Sequence, residues 1–195
     1  MKPAEKSVLR QHFRNLRKQL AGTQRFSAQA RIAEHVIDWI QKHQPNAVAV
    51  YMATGSEVDV QSIREFCHQQ GIVVLLPICT EGGMQYSELS PDTHFQSDAH
   101  GIAVPILPRI LGRHLMSGWR ILTLVPGVSF DRFGGRLGQG AGHYDRFLAS
   151  RLPAEFFMGV GFEVQISAEP LPLEEWDKPM DYLVTENGIQ QTSCE

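Results

Sequence analysis

Five short, largely apolar runs punctuate the chain: AVAVYM (Ala47 to Met52), IVVLLPI (Ile72 to Ile78), ILTLVP (Ile121 to Pro126), FFMGVGF (Phe156 to Phe162) and DYLVT (Asp181 to Thr185). A strand with one wet face alternates polar and apolar residues, and these do not. They must therefore be covered on both faces, which is the condition of strands in a parallel sheet. Helical patterns fill the stretches between them, so the predicted class is α/β: a single three-layer domain with a mostly parallel central sheet and helices on both faces. In such sheets ligands gather at the C-terminal ends of the strands, where the chain leaves the core.

From Lys6 to Leu20 the residues Leu9, Phe13, Leu16 and Leu20 recur at steps of three and four, which predicts one buried helix face. Lys6, Arg10, Arg14, Arg17 and Lys18 run along an adjoining stripe, either solvated or turned toward an anion. Ser27 can cap a second helix reaching about His43, with Ile32, Val36 and Ile40 inward. A third helix is expected from Asp59 to Gln70, stopped by Gly71, and a fourth from Tyr144 to Leu152. Met84 to Leu89 alternates like a hairpin partner, whereas Ser90 to Pro108 has no period and reads as a long loop placed to act as a lid.

Among 195 residues, 18 Lys and Arg stand against 21 Asp and Glu, a net charge of −3 that speaks against nucleic acid as the main partner. The three cysteines, Cys67, Cys79 and Cys194, form no C-x-x-C pair and read as free thiols of a reducing, cytoplasmic protein. No apolar run approaches the ~18 residues of a membrane helix, and the N-terminus lacks the apolar segment of a signal peptide, so no membrane association is expected. The chain is expected to act as a monomer on small molecules.

The richest stretch is PGVSFDRFGGRLGQGAGHYDRFL, Pro126 to Leu148, which leaves one strand and enters one helix. Gly134, Gly135, Gly138, Gly140 and Gly142 allow close backbone approach, so successive N–H groups can converge on a phosphate, and Arg136 adds a forked donor. The alternative is an irregular connection with no ligand. Neither the G-x-x-x-x-G-K-[ST] loop nor G-x-G-x-x-G fits, because His143 stands where the latter needs glycine. Asp145 either caps the following helix or holds Mg²⁺, which needs only one or two carboxylates beside phosphate oxygens. Glu57 and Asp59, after the first strand, could meet a ligand or cap the next helix, and Glu174, Glu175, Asp177 and Asp181 read on spacing alone as a solvated acidic turn. No histidine pair has metal spacing and no G-x-S-x-G elbow is present.

Taken together, K-x-x-x-R in the first helix (Lys6, Arg10), SEVDV after the first strand, the Pro126 to Leu148 segment and LPLEEWDKPMDYLVTE near the end resemble the 5-formyltetrahydrofolate cyclo-ligases, also called methenyltetrahydrofolate synthetases. The R-L-G-x-G-x-G run followed by an aromatic residue and Asp carries most of that resemblance. It implies a sheet related to the sugar-phosphate isomerase and CoA-transferase folds, and a reaction in which ATP and Mg²⁺ drive 5-formyltetrahydrofolate to 5,10-methenyltetrahydrofolate with release of ADP and phosphate. It also implies roles. Lys6, Arg10, Arg136, Leu137, Gly138, Gln139, Gly140, Ala141, Gly142, His143 and Tyr144 would surround ATP, and Asp145 with Asp177 would hold Mg²⁺. Met52, Glu57, Gln139 and His143 would contact the folate, and Arg136, Lys6 and His143 would serve the chemistry.

Three positions depart from the family's usual pattern: His143 replaces the first of two aromatics, Ala141 a frequent glycine, and Val104 an acidic residue. Two alternatives follow: an ATP-dependent relative with another acceptor, or a folate- or nucleotide-binding protein without turnover. Lys6, Arg10, Arg136, Asp145 and Asp177 weigh against the second, because a pure binder needs no metal site at the phosphates.

Overall fold

A computed structural model describes residues 3–81, 83–99, 101–140, 142–174 and 177–192, with the side chains of residues 3, 4 and 143 left out. Two helices come first, α1 (Pro3–Gln19) and α2 (Gly22–His43), followed by β1 (Ala47–Ala49), α3 (Gln61–Gln69), β2 (Val73–Thr80) and β3 (Gly83–Leu89). Three short strands follow, β4 (Phe95–Ser97), β5 (Ala103–Pro105) and β6 (Arg109–Leu111), and then a 3₁₀ turn at Arg113–Met116. The second half holds β7 (Ile121–Pro126), β8 (Ser129–Asp131), β9 (Arg136–Leu137), α4 (His143–Ala149) and β10 (Glu155–Val160). It ends with a 3₁₀ turn at Glu163–Gln165, β11 (Ile166–Ser167), β12 (Tyr182–Thr185) and β13 (Gly188–Gln191).

The five apolar runs become β1, β2, β7, β10 and β12, which are mutually parallel in an eight-stranded sheet ordered β13-β12-β10-β7-β1-β2-β3-β6. Antiparallel strands close both edges. Successive side chains of a strand point to opposite faces, so each apolar run feeds two cores at once. Val48, Leu122 and Leu124 pack with Ile32, Val36 and Ile40 of α2 and Ile63 of α3 on one face. Ala47, Ile121 and Val125 pack with Phe147 and Leu148 of α4 and Met116 on the other. Full burial of a side chain such as Ile32 or Ile63, both 0% exposed, contributes about 1.5–3 kcal/mol.

Strand order also fixes where a ligand can enter. From β1 the chain runs outward through β2, β3 and β6, then returns to the other side of β1 as β7 and continues outward through β10 and β12. The loops after β1 and β7 therefore diverge from adjacent strands, leaving a crevice at the carboxyl edge of the sheet. Glu57 lies in the first loop and the glycine-rich segment in the second.

Several expectations are corrected. Ser27 does not cap α2, which begins at Gly22 with no side-chain cap; the added first turn is largely exposed, Phe26 included, and packing on the core starts at Ala28. Ser90 to Pro108 is not a featureless loop, since β4 and β5 pair as a ribbon, Phe95 opposite Pro105. β6 and β13 add edge strands that no periodicity announced. Cys67 is buried and Cys79 exposed, both free, with burial pushing the Cys67 thiol up to about 12, while Cys194 lies outside the described residues. No helix among the described residues is long and apolar enough to cross a membrane.

Candidate active site

The segment after β7 is shaped first by a carboxylate that the motif reading passed over. Asp131, 2% exposed, accepts N–H bonds from Phe133 (2.9 Å) and Gly135 (2.8 Å) on Oδ1 and from Leu171 (2.6 Å) on Oδ2. A Cβ at Gly135 would stand 2.2 Å from Asp131 Oδ2, and one at Gly134, whose φ is +90°, 2.6 Å from the Met180 carbonyl. These two glycines exist to close the β8–β9 turn. Their N–H groups are committed to Asp131, so the expectation that all five glycines offer amides to a phosphate is corrected. Gly138, Gly140 and Gly142 remain for that purpose.

Around these three the basic stripe of α1 is turned inward, which excludes a solvated face for most of it. Arg10 Nε donates to the Gly138 carbonyl at 2.9 Å, and its guanidinium carbon lies 3.6 Å from where a Gly140 Cβ would be. Arg14 donates to Gln139 Oε1, and Lys6 Nζ pairs with Glu174 at 2.9 Å. Lys18 alone of the five stays exposed. The Lys6 ammonium holds the Glu174 carboxyl below its ordinary value, so the pair's contribution is present above the normal Glu range and is lost as pH falls through that lowered value. The acidic turn is thus engaged, as is Asp181, which accepts from Phe157 N at 2.7 Å.

Arg136 is 9% exposed, ion-paired with Asp145, and lies with its guanidinium carbon 5.6 Å from the centre of the Tyr144 ring. Burial raises the Tyr144 phenol, so it stays neutral beside that cation. Asp177 Oδ2 accepts from Glu174 N at 2.9 Å, which ties the second expected metal ligand to the turn that meets Lys6. Leu137 is buried in β9. Ala141 lies outside the described residues, as does the side chain of His143, whose backbone opens α4.

On the other wall Glu57, 9% exposed, is oriented by Thr54, whose N–H and hydroxyl both donate to Oε2 at 3.0 and 3.1 Å. Its Oε1 accepts from Gln139 Nε2 at 3.3 Å, which joins the loops after β1 and β7 across the crevice. Met52 packs partly buried against the core at the end of β1. Asp59, by contrast, spends Oδ1 on the Gln61 N–H in the turn that enters α3, one residue ahead of the Val60 N-cap.

Gln165 escaped the sequence reading altogether, and Arg17 was read only as one of the basic stripe. Arg17, 5% exposed, donates to Ser56 Oγ (2.9 Å) and to the Gly127 carbonyl (3.2 Å), so one guanidinium bridges both loops. Burial lowers its pKa and the facing Glu57 carboxylate raises it. Gln165 takes the same Gly127 carbonyl at 2.9 Å from the opposite side. Arg17→Met should cost about 1–3 kcal/mol by leaving those acceptors unpaired, and Arg17→Lys should recover only part, since an ammonium cannot span both. Urea melts of the two variants check this; an Arg17→Met melt equal to wild type would remove the bridge from the account.

The profile of the 5-formyltetrahydrofolate cyclo-ligase family matches residues 2–186. A 5-formyltetrahydrofolate cyclo-ligase of Haemophilus influenzae is 28% identical over 191 residues, covering 94% of this chain and all of that one. That of Escherichia coli K12 is 30% identical over 149 residues, 74% of this chain and 80% of the relative. Among solved structures, the 5,10-methenyltetrahydrofolate synthetase of Aquifex aeolicus superposes with a TM-score of 0.75 at 28% identity, covering 97% of this chain and 94% of that one. That of Mycoplasma pneumoniae gives 0.73 at 18% identity, covering 93% and 98%, a likeness of fold. With nearly its whole length matched, the chain belongs to the 5-formyltetrahydrofolate cyclo-ligase family.

Proposed function

We propose that the chain converts 5-formyltetrahydrofolate to 5,10-methenyltetrahydrofolate with ATP as co-substrate and Mg²⁺ as cofactor, releasing ADP and phosphate. The observation that carries this reading is the crevice itself. Three glycines ringed by Arg10, Arg14 and Arg136 form one wall, and the oriented Glu57 carboxylate forms the other, with Gln139 touching both.

A formamide oxygen is a poor leaving group. Transfer of the γ-phosphoryl group onto it makes phosphate the leaving group, after which N10 attacks the formyl carbon, loses its proton, and the C–O bond breaks. The residues' work is to position reactants and offset charge. Arg136, held by Asp145 and Tyr144, offers a forked donor to the transferring phosphoryl oxygens, and Lys6 and Arg10 add positive charge from α1. Glu57 suits the pterin edge, whose ring N–H and amino group present parallel donors to one carboxylate.

No three His, Cys, Asp or Glu side chains gather into a metal cage among the described residues. Mg²⁺ does not require one, because it completes its shell with phosphate oxygens and water, and the hard oxygens of Asp145 and Asp177 fit that partial demand. When bound, Mg²⁺ would supply positive charge at the triphosphate, with Asp145 and Asp177 as the residues that hold it.

The test is direct: mixing the protein with 5-formyltetrahydrofolate and MgATP should produce the absorbance of the methenyl product. Its absence in a folded sample would defeat the reading. Asp145→Asn should lower turnover about a hundredfold and raise the Mg²⁺ concentration needed for half-maximal rate, since an amide cannot offset the ion's charge. Near-normal activity across a Mg²⁺ titration would take Asp145 out of the metal site.

A further inference from the structure

Beside the Glu57 wall, at the carboxyl end of β1, lies a cavity of about 200 Å³ whose lining includes Tyr51, Met52, Asp59 and Arg64. It begins at Met52, which the family resemblance puts against the folate, and reaches along the start of α3 to Arg64. Its walls are fixed, because the Tyr51 hydroxyl donates to the Val58 carbonyl at 2.8 Å and Asp59 Oδ1 is held by the Gln61 N–H at 2.9 Å.

Arg64 differs from the other arginines of the crevice. Arg10, Arg14, Arg17 and Arg136 each donate to an acceptor, whereas the Arg64 guanidinium, half-buried, has no ion-pair or hydrogen-bond partner among the described residues. Its contact is the face of Phe95 in β4, 5.8 Å from guanidinium carbon to ring centre. A guanidinium placed against a ring, with its forked donors unspent at the rim of a cavity, is suited to a planar carboxylate.

We propose that Arg64 binds a carboxylate of the substrate's tail. This rests on the proposed function: 5-formyltetrahydrofolate carries, beyond its pterin, an aminobenzoyl group ending in glutamate. With the pterin at Glu57, the tail runs past Met52 through the cavity and its terminal carboxylates reach the Arg64 fork. Asp59, committed to the helix start, disfavours the opposite placement of a carboxylate and confines it to the Arg64 side.

The experiment compares 5-formyltetrahydrofolate with 5-formyl-6-(anilinomethyl)tetrahydropterin, which keeps the attacking N10 and its ring but lacks the carboxylates of the tail, in wild type and Arg64→Gln, with thermal melts confirming that both are folded. The ratio of kcat/KM for the tailed over the tailless compound should fall about tenfold in Arg64→Gln, the scale of one charge-assisted hydrogen bond, and Arg64→Lys should recover part of it. An unchanged ratio overturns the proposal. Calorimetric titration with N-(4-aminobenzoyl)-L-glutamate needs no turnover and separates this proposal from the one beneath it. If neither compound is turned over, the cyclo-ligase reading fails, and the titration alone decides Arg64: weaker binding by Arg64→Gln supports the carboxylate site, and equal binding overturns it.

Discussion

Replacing Arg136 with alanine should lower kcat about 10²- to 10³-fold at saturating MgATP, the scale reached when one preorganised donor to a developing oxyanion is removed. The guanidinium has no freedom to be replaced by solvent: it is 9% exposed, paired with Asp145 and laid against Tyr144. Its loss also leaves the Asp145 carboxylate without its cation. Arg136→Lys should restore little, because a point charge on a flexible stem cannot hold Asp145 and a phosphoryl oxygen in a fixed fork. Steady-state rates with both variants, each checked by thermal melting, decide the matter. A folded Arg136→Ala with unchanged kcat would place Arg136 outside the chemistry.

Asp131→Ala should act on the same loop through stability. Three backbone N–H groups, of Phe133, Gly135 and Leu171, would lose their acceptor at a site that is 2% exposed, at a cost of about 3–5 kcal/mol. For a chain of this length that lowers Tm by about 10 °C. Asp131→Asn should cost less, since one carbonyl oxygen can keep Phe133 and Gly135 while the amide faces only the Leu171 N–H. Melting curves that rank alanine no worse than asparagine would show that the carboxylate does not organise the turn.

These two residues also mark what the sequence made legible. Arg136 stands inside a glycine cluster after a buried strand, where local spacing alone suggests an anion site. The five parallel strands were legible for a similar reason, since burial on both faces forces a continuous apolar run. Asp131 and Gln165 were not, and the role of Arg17 was not, because each acts on backbone 37 to 110 residues away or on a turn it closes itself, and no periodicity records such a bond. The β4–β5 ribbon and β13 were missed because three or four residues with exposed faces leave no alternation long enough to count. Asp59 and Glu57 looked equivalent in SEVDV, and only the Gln61 N–H and the Thr54 donors separate the residue of the helix-entry turn from the crevice wall.

The inward stripe of α1 bears on how the protein assembles. Its bonds span 110 residues from Arg17 to Gly127, 128 from Arg10 to Gly138 and 168 from Lys6 to Glu174, so α1 can complete its docking only after the chain through Glu174 has been made. Loop-closure entropy grows slowly with such lengths, but non-local contacts of this kind form late in folding. A sheet that is already native can therefore exist with α1 undocked, and in that state Lys6, Arg10, Arg14 and Arg17 are all absent from the crevice. On the proposed function, competence to hold a triphosphate would then depend on the docking of α1, which makes that helix a gate between a folded protein and a working one.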